Sequence, residues 1–210
     1  MYSKPELALK RAFDVAAAAA GLVIASPLLV TAAVLVRLSS PGPILFRQER
    51  IGRYGRPFQL VKFRSMRTDS GGPLVTSAAD RRVTPVGRVL RQSKLDELPQ
   101  LVNVLRGDLS LVGPRPEVAR YVALYSAEDR ALLQSVRPGI TDPATIRFRN
   151  EEDILGRSAD PERAYVEEVL PAKVRLYRQY LEQASFVNDI HVLVATARVV
   201  ARPSSVAAPL

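Results

Sequence analysis

The chain has 210 residues, 47% of them hydrophobic, which suffices for one ordinary packed domain with an appended membrane element and excludes disorder of the whole chain. Thirty basic against 21 acidic residues create a field that attracts phosphates, nucleic acids or anionic lipid surfaces without choosing among them. The absence of cysteine excludes a disulfide framework, a thiolate metal site and a cysteine nucleophile, and permits a cytoplasmic location for the soluble part.

From Ala12 to Val36 runs a 25-residue segment whose clearly polar members are Asp14, Ser26 and Thr31, long enough for a membrane helix. It exceeds the apolar region of a signal peptide, and Arg37 follows without a cleavage site. Pro27 removes one helical hydrogen bond near the middle and predicts a bend, with the Ser26 hydroxyl able to serve a freed carbonyl. Both flanks are positive: Lys4, Lys10 and Arg11 before, Arg37, Arg47, Arg50 and Arg53 after. Because positive residues stay cytoplasmic, the simplest reconciliation is a re-entrant hairpin with both ends on that side. A proline-kinked spanning helix and a buried core helix are the alternatives.

Residues 44 to 64 read as a β-hairpin, two apolar runs around a turn containing Gly52 and Gly55. Seven basic residues between Arg47 and Arg67, against Glu49 alone, form either a solvated, headgroup-facing surface or a phosphate-binding wall. Residues 68 to 80, with Gly71, Gly72 and Pro73, read as a mobile loop. Thr84 and Pro85 cap and open a short helix to about Gln92. Leu95, Leu98, Leu101, Val102 and Leu105 recur at helical spacing up to Gly107. A short strand from Leu109 to Val112 leads into the rigid turn Gly113 to Pro116. Helices are expected over 117–125 and 127–135, a turn at Arg137, Pro138 and Gly139, and a long helical tract from Pro161 to Ala184 interrupted by Pro171. The stretch from Phe186 to Val200 has the mixture of an interfacial amphipathic helix, and the end beyond Arg202 is frayed.

Asp96 and Glu97 are adjacent acids, the second of them two residues before Pro99. Proline fits only the first turn of a helix, so both acids lie at a helix N-terminus, where backbone amides favour anions. Acids there are also ordinary stabilisers, worth about 0.3–1 kcal/mol each. Arg91, Lys94 and the basic surroundings favour the chemical role. Adjacent helical residues point about 100° apart, so the two carboxylates divide the work. One can attack phosphorus and form an acyl phosphate, while the other holds a magnesium ion that neutralises a diphosphate. His191, the single histidine, falls in the last helix and reads as a surface residue; no Walker loop or dinucleotide fingerprint is present.

With these residues in view, the chain resembles the monotopic phosphoglycosyl transferases, or bacterial sugar transferases. The resemblance covers nearly the whole chain: Lys10 to Asp14, Ser40 to Gln48, Lys62 to Met66, Leu95 to Leu101 with Asn103, Val104 and Leu105, GDLSLVGPRP from Gly107 to Pro116, and RPGIT from Arg137 to Thr141. It implies an α+β, mainly helical fold with an N-terminal re-entrant membrane helix broken at Ser26 and Pro27, a small β-hairpin, and several short amphipathic helices at the membrane interface. The implied division is a re-entrant anchor over 1–38, a cytoplasmic catalytic domain over 39–202 and a flexible tail over 203–210, a minimal unit without the multi-helix membrane domain of longer relatives.

The resemblance also implies the reaction. A UDP-sugar would give its phosphosugar to polyprenol (undecaprenyl) phosphate, with Asp96 as the nucleophile carrying a covalent phosphosugar and Glu97 as the Mg2+ ligand. Arg115, between Pro114 and Pro116, would hold the nucleotide, and Lys62, Arg64, Arg91 and Arg137 would complete the substrate site. Membrane lipid is an implied partner and nucleic acid is not; a homodimer is compatible. The implied location is the cytoplasmic face of the bacterial inner membrane. Ser185, Phe186 and Asp189 resemble a structural motif of the closing helix. Asp142 and Pro143 depart from the family pattern after RPGIT and mark a loop with a bearing on sugar choice. The competing expectations are a membrane-tethered basic protein that binds nucleic acid or anionic lipid without catalysis, and an inactive assembly scaffold.

Overall fold

A computed structural model describes residues 2–67, 75–76 and 80–201. The fold is mainly helical, with one long apolar N-terminal helix, a two-stranded antiparallel sheet and a second, smaller two-stranded sheet. Gly71, Gly72 and Pro73 of the expected loop, and the tail at 203–210, lie outside the described residues.

Helix α1 (Lys4–Ser39) starts at a reciprocal cap: the Glu6 backbone N–H donates to Ser3 Oγ, and the Ser3 N–H to the Glu6 carboxylate. It is long and apolar enough to cross a membrane. It continues through Pro27, whose missing N–H frees the Val23 carbonyl, and Ser26 Oγ donates to that carbonyl at 2.7 Å. Two separated stretches of α1 are buried. Ala18 packs with Leu60, Leu101, Val104 and Leu109, and Ala32 and Val36 pack with Phe63 and Leu90. Between them Val23 and Ile24 are 73% and 80% exposed, so both ends of the helix seat on one body while its middle does not.

Strands β1 (Leu45–Ile51) and β2 (Pro57–Phe63) form the expected hairpin, in register from Leu45 opposite Phe63 to Ile51 opposite Pro57. The free edge of β2 is covered by one side chain: Asn103 Oδ1 accepts from the Val61 N–H, and its Nδ2 donates to the Gln59 carbonyl. Helix α2 (Pro85–Gln92) is capped by Thr84, as expected. A Cβ on Gly87 would lie 1.9 Å from the Ser65 carbonyl oxygen, so glycine lets α2 touch the chain leaving β2.

The segment expected to be one helix from Leu95 divides. Leu95–Gln100 is a 3-10 turn, because Pro99 cannot donate and crowds the preceding turn, and α3 (Leu101–Arg106) succeeds it, ending at Gly107 with φ 91°. Strand β3 (Ser110–Val112) agrees with expectation. Its partner carried no strand expectation and begins at the last residue of the expected turn: β4 (Gly139–Thr141) runs parallel to it. Helices α4 (Ala119–Val122) and α5 (Ala127–Leu133) are shorter than expected. Two further helices, α6 (Pro143–Arg147) and α7 (Glu151–Gly156), occupy a stretch that carried no helical expectation. The tract from Pro161 is helical throughout: α8 (Pro161–Ala164), a π-turn over Tyr165–Val169 and α9 (Leu170–Glu182). The wider turn immediately precedes Pro171 and brings the Leu170 N–H to the Tyr165 carbonyl.

Helix α10 (Phe186–Ala201) closes the chain, with Val187 and Val194 exposed and Asp189 buried. Asp189 accepts hydrogen bonds from Tyr2, Tyr180 and Lys10, each at 2.6 Å, and Phe186 meets Phe13 edge to face. The Ser185, Phe186 and Asp189 group thus ties the two ends of the chain together. His191 is exposed, as expected. The main core gathers Tyr121, Leu155, Tyr165, Val169, Tyr177 and Leu181 beneath α9.

Candidate active site

The 3-10 turn presents the two acids differently. Three residues per turn separate neighbours by roughly 120° rather than 100°. Asp96 therefore points into the body, 5% exposed, while Glu97 turns toward the loop after β3. Lys94 enters the turn with φ 58°, a left-handed conformation uncommon outside glycine.

Asp96 makes no hydrogen bond among the described residues, and its Oδ1 is fully buried. Burial first, and the Glu97 charge second, push its pKa up to about 6, against the pull of Lys62, Arg91 and Lys94. Lys62, on β2 over the Phe46 ring, is pushed down to about 8 by burial. A buried carboxylate without a partner is unfavourable for folding, which makes Asp96 a candidate functional position.

Glu97 is held at both of its oxygens. Arg115 Nη1 donates to Oε2 at 3.0 Å and Nη2 to Oε1 at 2.6 Å, a two-point fork. Burial alone would raise the pKa of Glu97, but the Arg115 guanidinium holds it down at about 2. Pro114 and Pro116 stiffen the backbone on either side of Arg115.

These groups open into a cavity of about 480 Å3. Lys62, Arg64, Arg91, Lys94 and Arg115 make its wall basic around the acids, while Glu117, Tyr121, Tyr165, Lys173 and Tyr177 line it too. Arg91 is paired with Glu152 of α7. Arg64 lines the cavity but is committed elsewhere: Nη2 donates to the Val36 and Ser40 carbonyls at the end of α1, leaving Nε and Nη1 buried without partners. Of the residues expected at the substrate site, the structure brings Lys62, Arg64, Arg91 and Arg115 to the cavity wall with the dyad. Pro114 and Pro116 flank Arg115 in the chain without lining the cavity, and Arg137 is elsewhere, on a second cavity, with Nε on the Gly107 carbonyl at 3.0 Å.

Asp142 and Pro143 prove to be a helix start. Asp142 is fully buried and accepts from the Thr145 N–H and hydroxyl, and α6 then sets Thr145 on the wall, with Phe148 and Arg149 just beyond it. Sequence reasoning missed Lys173 and Tyr177 on the wall; their spacing of four residues puts them on one face of α9, a usable signal. Glu117 was also missed, although it directly succeeds Pro116.

Among the described residues no three carboxylate, histidine or cysteine groups converge. Magnesium bound with a diphosphate needs one or two carboxylates, the rest of its shell being phosphate oxygens and water. Glu97, on the cavity wall, supplies one carboxylate whose acceptor sites exceed the two that Arg115 occupies, and so fits that smaller requirement.

A family model described as bacterial sugar transferase matches residues 5–203. Over 142 residues the chain is 51% identical to the UDP-glucose:undecaprenyl-phosphate glucose-1-phosphate transferase of Caulobacter vibrioides, covering 66% of this chain and 53% of that protein. It is 40% identical over 193 residues to the Escherichia coli protein of the same name, covering 90% of this chain and 39% of the relative. A Bacillus subtilis protein named as the uncharacterised sugar transferase EpsL is 40% identical over 192 residues, covering 90% of this chain and 86% of that one. The chain thus spans about half or less of the two relatives with named activities and most of the third.

Proposed function

The chain belongs to the bacterial sugar transferase family, and from that premise we propose that it moves a sugar 1-phosphate from a UDP-sugar to undecaprenyl phosphate, the first membrane step of a bacterial glycan. The observation that carries this is Asp96: a buried carboxylate without hydrogen bonds, facing Lys62 and Arg91 on a basic cavity. An Asp96 carboxylate oxygen attacks the sugar-linked phosphorus. The bond from that phosphorus to the bridging oxygen breaks, and UMP leaves with the electron pair. A phosphate oxygen of undecaprenyl phosphate then attacks the same phosphorus, and the acyl phosphate bond breaks to restore the carboxylate.

Poor solvation leaves the Asp96 carboxylate reactive, and a pKa of about 6 keeps it ionised at neutral pH. Lys62, Arg91 and Arg115 neutralise charge developing on the departing phosphate. Glu97 would hold a magnesium ion, which would supply Lewis-acid neutralisation of the diphosphate when bound.

The anchor reading is a re-entrant helix at the cytoplasmic face of the inner membrane. Supporting it, both ends of α1 pack on the body that carries the dyad, the exposed middle is apolar, and Ser26 serves the carbonyl opposite Pro27. Val89 of α2, Leu105 of α3 and Val187 and Val194 of α10 add exposed apolar surface suited to the interface.

The test is UMP release from a panel of UDP-sugars by protein in nanodiscs with magnesium and undecaprenyl phosphate. Wild type is expected to release UMP from at least one donor, and Asp96→Asn and Glu97→Gln to lose release. Full activity in Asp96→Asn would remove the nucleophile, and a tethered binding protein would release nothing from any donor.

A further inference from the structure

A second cavity, of about 220 Å3, lies between the N-terminal half of α1 and the segment before β4, and neither acid of the dyad lines it. Three arginines from distant parts of the chain do: Arg11 of α1, Arg53 of the hairpin turn, and Arg137. Each is fixed to backbone carbonyls. Arg11 donates to Val104 at 2.7 Å and Leu105 at 3.2 Å, Arg53 Nε to Ser135 at 3.0 Å, and Arg137 Nε to Gly107. None of the three forms an ion pair among the described residues.

Against these three cations stands one carboxylate on the wall, Asp14, so positive charge remains in excess. Asp14 accepts from the Ser110 hydroxyl and the Leu111 N–H, and Asp189 is matched by Lys10. Burial first, then the charges of Arg11 and Arg53, depress the pKa of Arg137, so the cations act on one another across the cavity. The rest of the wall is mostly apolar, including Leu7, Val136, Leu181 and Ala184. On the same end of α1, Leu7 and Leu9 are exposed, which suits contact with an apolar phase.

An under-neutralised cation cluster against an apolar slot matches an amphiphile with an anionic head. We propose that this cavity is a binding site for an anionic bilayer phospholipid, its phosphate between Arg53 and Arg137 near Arg11 and its chain against Leu7 and Leu181. A phosphorylated polyprenol shares the head chemistry, as does free phosphate, and the experiment separates them. This site is independent of the reaction proposed above.

The experiment is native mass spectrometry of the full chain from nanodiscs of phosphatidylcholine with phosphatidylglycerol and an equal amount of undecaprenyl phosphate. Wild type is expected to retain one phosphatidylglycerol and no phosphatidylcholine. The pair Arg53→Gln with Arg137→Gln should lower retention about thirtyfold, from the roughly fivefold that each cation contributes at an anionic surface. The exposed pair Arg157→Gln with Arg175→Gln, equal in net charge, should leave it unchanged. Ala184→Phe, which fills the slot and keeps the arginines, should also lose the lipid. Equal retention in both cavity variants, or equal loss in the exposed pair, would overturn the site. Retention of undecaprenyl phosphate in preference to phosphatidylglycerol, or displacement of the lipid by millimolar inorganic phosphate, would overturn the assignment to a bilayer phospholipid.

Discussion

Replacing Asp96 by asparagine should remove activity and make the protein more stable at neutral pH. In the fold the Asp96 pKa stands at about 6 against an ordinary 3.8. At about 1.36 kcal/mol per pH unit, the ionised side chain opposes folding by ~3 kcal/mol. Below pH 3.8 both folded and unfolded chains bind the proton, so the group adds no penalty. Between 3.8 and about 6 the unfolded chain ionises first and folding loses ground; above about 6 the deficit is constant. Asparagine keeps the shape without the charge, and its amide still lacks partners, so ~3 kcal/mol is an upper bound. For a chain of this size the gain corresponds to a Tm rise on the order of 5–10 °C at about pH 7.5. It should shrink to about a third at about pH 4.5 by the same linkage. Thermal unfolding of both proteins in one nanodisc composition over that range checks it. An asparagine variant no more stable than wild type at the higher pH, or equally stabilised at the lower, would refute the account of Asp96 as a strained, partnerless carboxylate.

UMP release should fall as pH drops below about 6, because Asp96 takes up a proton and loses its nucleophilic pair; a pH–rate profile flat to about pH 5 would disagree. Arg115→Lys replaces a two-point fork on Glu97 with a single point charge. Losing one charge-assisted hydrogen bond should lower UMP release by about 10- to 100-fold while the fold persists, which steady-state rates and Tm together check. Gly87→Ala forces a methyl group onto the Ser65 carbonyl 1.9 Å away, so α2 must shift and carry Arg91 with it. Stability should fall by about 1–3 kcal/mol and activity with it; an unchanged Tm would show that α2 has room.

Local signals are legible in the sequence where one residue decides the outcome. Thr84 with Pro85 starts α2, Gly107 ends α3, and Ser26 with Pro27 marks the point where a hydroxyl serves a freed carbonyl. Non-local pairing is not legible. β4 pairs with β3 across 29 positions, and a three-residue parallel strand leaves no alternation to read. The pattern Arg137 to Thr141 gives the arginine a charge but no address, and tertiary packing sends it to the second cavity. Pro99 does mark a helix start, yet whether its turn is 3-10 depends on how the chain packs from Leu101 onward, and so does the inward direction of Asp96.

The same connections that build the site fix its position relative to α1. Arg11 closes the C-terminal carbonyls of α3, the helix that begins four residues after Glu97. Arg64 closes the last carbonyls of α1 and stands two residues after Lys62, which faces Asp96. Asp14 meets the start of β3, whose other end leads into Arg115. Asp96, Lys62 and Arg115 thus each stand within eight residues of a group hydrogen-bonded to, or donating to, the apolar helix. Such short, hydrogen-bonded links transmit displacement with little slack. A change in how α1 sits in an apolar phase would move Asp96, Lys62 and Arg115 together, so the height of the site is set by the fold of α1 against its body rather than by any flexible tether.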